Sequence, residues 1–200
     1  MLGVGFLGIM AAQLSGSVRK PRPSMTLEKG SAQIWQRLAA MRYDLEQPRA
    51  FEQWVYAMPA LEQVIGAEQH LALISLDYGA KHAGHEIAKV IDSAYAAQRP
   101  GALPRDLATW VAESFLSGRL DLFTASRLLT RLWNDGETWI PTEFVYIDSE
   151  LDEIPSPAQY HHWDASALQA KLAEEVPRVE EMQRVAVLVA RELLATLSVS

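Results

Sequence analysis

The chain has 200 residues, 49% apolar and 22% charged, which places it among ordinary globular proteins and excludes a disordered or fibrous chain. Its 25 acids outnumber 18 lysines and arginines. The resulting charge of −7 argues against general nucleic-acid binding, which needs a basic stripe to neutralise phosphates. With no cysteine, disulfides, thiolate metal sites and cysteine nucleophiles are excluded, and the composition fits a reducing cytoplasm.

Residues 1–25 stand apart. Met1 to Ala12 is apolar and glycine-rich, followed by a polar, then basic and proline-containing stretch. About a dozen apolar residues are too few to span a bilayer, and the start lacks the basic residues of a secretory signal. The segment reads as a flexible leader or upstream translation start, with export or anchoring as the alternative. Gly3-Val4-Gly5-Phe6-Leu7-Gly8 matches G-x-G-x-x-G only formally, because no strand precedes it. A single helical domain is expected over 26–200.

From Thr26 the apolar residues recur at helical spacing. Ile34, Trp35, Leu38, Met41 and Leu45 form one buried stripe, ended by Pro48. Phe51, Trp54, Val55 and Met58 predict a second helix, closed by Pro59; Leu61, Val64 and Ile65 follow, with Gly66 as a cap. Leu71 to Tyr78 is short and apolar, compatible with helix or strand, and its neighbours favour helix. Ile87, Val90, Ile91 and Tyr95 make the next amphipathic helix, and Gln98-Arg99-Pro100-Gly101 a turn. Leu107, Trp110, Val111 and Phe115 face inward on a helix closed by Gly118; Leu120, Phe123, Leu128, Leu129 and Leu132 continue to a stop at Asn134-Asp135-Gly136. After an irregular stretch, Trp163-Asp164 marks a helix entry, and Val179, Met182, Ala186, Val189, Leu193 and Leu197 form a long terminal stripe in which Pro177 is expected in a first turn or at a kink. The expected fold is all-α: a multi-helix bundle with an irregular acidic loop around 135–162.

That excursion holds the most uneven charge. Residues 132–170 carry eight acids and no basic residue, a charge of −8, while the remaining 161 residues sum to +1. Trp133, Trp139, Phe144, Tyr146, Tyr160 and Trp163 are interleaved with the acids. The segment reads either as a solvated acidic loop over a core or as a docking surface for a basic partner. The residues expected to meet that partner are Asp135, Glu137, Trp139, Glu143, Phe144, Tyr146, Asp148, Glu150, Asp152 and Glu153.

Signals for catalysis are weak. His82 and His85 lie three apart beside Glu86, unlike the metalloprotease spacing, and Gly84 interrupts them. His161-His162 are adjacent, so on a helix they point about 100° apart. These histidines with the acids make a metal-dependent hydrolase one alternative, and oligomerisation through the Val179–Leu197 stripe another. Asp148 to Glu153 lacks the glycine and spacing of a calcium loop. No serine sits in a nucleophile elbow.

Two stretches carry a family likeness. Phe51-Glu52-Gln53-Trp54-Val55-Tyr56, continuing through Leu61-Glu62 to Leu71–Tyr78, resembles a pattern in small bacterial immunity-type proteins of polymorphic or contact-dependent toxin systems. Ile140 to Phe144, running into Ile147 to Pro155, is similar to an acidic segment of the same loose group. The resemblance implies a cytoplasmic, non-enzymatic protein without cofactor that occludes a cognate protein toxin, often a basic nuclease; the acidic balance and the short apolar run separately argue against nucleic acid and membrane as partners. The resemblance carries over no catalytic residue, and the leader departs from the pattern.

Overall fold

A computed structural model describes residues 25–155 and 157–199. The leader expected over 1–25 therefore falls outside the described residues except for Met25. Helices run over Met25–Arg42 (α1), Pro48–Ala57 (α2), Leu61–Ile65 (α3), Ala67–Ile74 (α4), Ala83–Gln98 (α5), Leu103–Leu116 (α6), Leu122–Asn134 (α7), Thr142–Leu151 (α8) and Ala165–Val199 (α9). A 3-10 turn, Pro157–His162, precedes α9. There is no strand among the described residues, so the fold is all-α, as the periodicity implies.

Local chemistry sets the boundaries. Gly118 (φ 74°) and Gly136 (φ 104°) end α6 and α7 in the left-handed conformation. At α6 the Arg119 amide donates to the Ser114 carbonyl and the Gly118 amide to that of Phe115, the paired bonds of a Schellman ending. Asp44 (φ 58°) fills the same position after α1, with Leu45 N donating to Ala40 O and Asp44 N to Met41 O. A short polar side chain tolerates that conformation better than most. Pro48 and Pro104 sit in the first turns of α2 and α6, where a missing N–H costs nothing.

The predicted stripes are the core. Ile34, Trp35, Leu38, Met41, Phe51, Val55, Leu61, Ile65, Ile87, Ile91, Leu107, Val111, Leu129 and Leu132 are all buried. Helix α6 is the hub, packing against α1, α7 and α9, with Ala108 and Ala112 allowing close approach. A polar clamp ties α1, α5 and α6 together. The Tyr95 hydroxyl lies 2.8 Å from the Trp35 carbonyl oxygen and 2.9 Å from Asp106 Oδ2, and Arg99 donates to the same carboxylate at 2.5 Å. The Trp35 and Tyr95 rings are 4.7 Å apart, and Arg99 lies over Trp35.

One expectation is corrected and another is narrowed. The stretch around 135–162 is not loop throughout, because α8 occupies its centre, burying Phe144, Ile147 and Leu151 at three-to-four spacing against α7. Of the two places expected for Pro177, the first turn is ruled out, because the residue lies inside α9, which begins three turns earlier at Ala165. There Asp164 accepts hydrogen bonds from the amides of Ser166 (3.0 Å) and Ala167 (3.1 Å), as an entry cap should. Met182, Ala186, Val189 and Leu193 are buried in the intrachain core, so the stripe proposed for oligomerisation is already occupied.

Candidate functional site

Helix α8 carries two faces. Phe144, Ile147 and Leu151 point into the core, while Glu143, Tyr146 and Glu150, at i, i+3 and i+7, share the neighbouring outward stripe, about 100° round the helix. Tyr146 is 75% exposed, and its hydroxyl has no hydrogen-bond partner among the described residues. Packing of α8 beside α9 leaves a trough of about 370 Å³ between them. Thr142, Glu143, Tyr146, Ile147 and Glu150 form one wall; Glu181, Met182 and Val185 form the other. Its floor is apolar, and its rim carries three carboxylates.

The remaining acids of the segment behave differently. Arg127, from α7, lies 3.2 Å from Asp152 and 3.9 Å from Asp148. Arg178, from α9, binds Glu150, lies 3.1 Å from Glu153 and 3.5 Å from Glu175. Glu175 is also bound by Lys171, whose hydrogen bond holds its carboxyl below the ordinary range. Partial burial pushes the Asp148 carboxyl up, the Arg127 guanidinium opposes this, and the Asp152 charge adds to it. Two arginines thus pair with the four carboxylates of the densest acidic run and offset about half of its charge. Glu143 has no ion pair among the described residues, and Glu181 has only its exposed neighbour Arg184.

The residues expected to meet a partner therefore divide. Glu143, Tyr146 and Glu150 are brought together at the trough. Asp148, Asp152 and Glu153 are engaged by arginines of α7 and α9, and Glu150 shares Arg178 with Glu153. Glu137 accepts a 2.5 Å hydrogen bond from the half-buried Trp139 indole, over which Arg105 is stacked, so this pair is a local brace. Asp135 is exposed at the end of α7, away from these contacts. Phe144 is fully buried and cannot anchor a partner without opening the core. The sequence reading missed Glu181, Met182 and Val185, since nothing local links α9 to α8.

A larger groove of about 670 Å³ lies among α1, α2 and α3, lined by Ile34, Trp54, Met58 and Val64. Among the described residues its one charged lining side chain is Arg37, which is held by Glu46 and lies 4.8 Å over Trp54. His82 and His85 are exposed at the start of α5, and His161 and His162 lie against each other, tilted by 43° with centroids 3.7 Å apart. Among the described residues no three ligating side chains converge on one metal position. No helix among them is long and apolar enough to cross a membrane. Comparison with protein-family models, with curated proteins and with solved structures finds nothing that matches the chain.

Proposed function

We propose that this is a non-enzymatic, cytoplasmic immunity-type protein that binds and neutralises a cognate toxin domain, with the α8–α9 trough as its docking surface. One observation carries the reading: a large exposed aromatic, Tyr146, stands over an apolar floor inside a rim of carboxylates. Aromatic side chains at the centre of a patch are the usual carriers of binding energy, while rim charges steer encounter. A toxin acting on nucleic acid must present a basic face to phosphates, and a carboxylate rim is complementary to it. The resemblance of Phe51–Tyr78 to immunity-type proteins supports the same reading from separate residues, and that of Ile140–Pro155 spans the α8 wall of the trough itself. Relative to the sequence expectation, the contact set contracts to Glu143, Tyr146 and Glu150 and extends to Glu181, Met182 and Val185.

The test is rescue of growth. The products of the genes flanking this one are expressed in turn in a sensitive host, and any that is toxic is paired with the wild-type chain, with Tyr146→Ala, or with Glu143→Lys/Glu181→Lys. Rescue by the wild type, lost in both variants while they remain folded, is the expected result. Full rescue by the variants would remove the trough from the interface, and no rescue by any form would remove the immunity reading.

A further inference from the structure

We infer that the occupant of the α8–α9 trough is a basic amphipathic helix of the partner, laid along α8. This rests on the trough being the docking surface. The lining residues are successive ridge positions of two helices, 143, 146, 147 and 150 on α8 and 181, 182 and 185 on α9. The gap between two such ridges is the shape that side chains of a third helix fill. From Glu143 to Glu150 the wall extends about 10.5 Å, two turns of a facing helix. No strand exists among the described residues, so no sheet edge offers the main-chain hydrogen bonds by which an extended peptide is usually captured.

The chemistry of the rim specifies the flanks of that helix. Carboxylates stand on both walls, Glu143 and Glu150 on α8 and Glu181 on α9. The occupant therefore carries lysine or arginine on both sides of an apolar stripe. Glu150 is shared with Arg178 and Glu181 with the exposed Arg184, whereas Glu143 has no ion pair among the described residues, so the strongest demand for positive charge is at the Glu143 end.

The inference is tested with three fluorescein-labelled synthetic peptides and the full chain. One is a leucine-striped helix with lysine flanks, the second has glutamate flanks, and the third is the lysine peptide interrupted by proline. Fluorescence anisotropy at low salt is expected to give at least about tenfold tighter binding of the lysine helix than of its glutamate twin. Tyr146→Ser is expected to weaken it about tenfold or more. Leu71→Ser, an exposed apolar position on α4, leaves binding unchanged. If the proline-interrupted peptide binds as tightly as the intact one, still sensitive to Tyr146→Ser, the helical occupant is overturned and the docking surface stands. If no peptide shows binding sensitive to Tyr146→Ser, both are overturned. Equal binding of the glutamate twin overturns the assignment of charge.

Discussion

Ser114 is fully buried on α6, and its hydroxyl is the one fully enclosed side-chain polar atom among the described residues that makes no hydrogen bond. Such a group keeps its desolvation cost with nothing in return. Ser114→Ala is expected to raise stability by about 1 kcal/mol, read from the urea midpoint. Asp148 gives a pH-dependent counterpart. Burial raises its folded-state pKa above the ordinary value, so the native state holds that proton more tightly than the unfolded chain. Its contribution to stability is then fully present below the unfolded pKa of about 3.9 and is lost as pH rises through the folded pKa. Asp148→Asn is expected to be more stable than the parent at neutral pH, with the difference vanishing near pH 4 or below in paired urea titrations. A difference that grows on acidification would contradict this. Neither residue announces itself in the sequence. Serine and aspartate are ordinary surface residues, and only tertiary packing decides that Ser114 is enclosed and Asp148 half-buried.

Helix boundaries were legible wherever the signal is local. Gly118, the Asn134-Asp135-Gly136 stop and the Asp164 entry cap act through bonds to residues at most five positions away. Asp121 is of the same kind, accepting a 2.8 Å hydrogen bond from Thr124 N at the start of α7. Asp121→Ala is expected to cost about 1 kcal/mol, visible in thermal unfolding. Helix α8 was harder to see because four acids crowd its C-terminal end, where the helix dipole is already negative. The arginines that offset them come from α7 and α9, about two dozen residues away in each direction. The spacing of Phe144, Ile147 and Leu151 nevertheless carries a helical period, and the charge density obscured it. In α9, Pro177 cannot donate to the carbonyl of Ala173, and the turns before it are mostly exposed, whereas Met182 to Leu193 contributes buried residues to the core. Hydrogen exchange is therefore expected to be faster over 165–176 than over 182–193. Uniform protection along α9 would mean that the early turns are held by more than the packing described.

At the scale of the molecule, the sequence located the charge correctly but not its balance. An excess of −8 in 39 residues suggests one acidic face, yet Arg127 and Arg178 enter from flanking helices and occupy its densest part. What remains for a partner is the Glu143 end of the trough and the exposed aromatic beside it. This arrangement predicts an outcome opposite to that usually expected on removing an interface arginine. Arg178 holds Glu150, a rim residue, so Arg178→Ala releases a carboxylate toward the trough and makes the surface more negative. A unit charge about 10 Å from an incoming charge in water changes encounter by roughly a factor of two. Stopped-flow association of the lysine-flanked helix at low salt is expected to accelerate by about that factor. The gain should fade as the Debye length falls to about 8 Å at physiological ionic strength. Removing Arg178 also loosens the contact between α8 and α9, so dissociation and the thermal midpoint must be followed in the same variant. Faster dissociation alone would report a deformed trough wall. Faster association with a steeper salt dependence would report the released carboxylate, and an unchanged association rate would mean that Glu150 takes no part in attracting the partner.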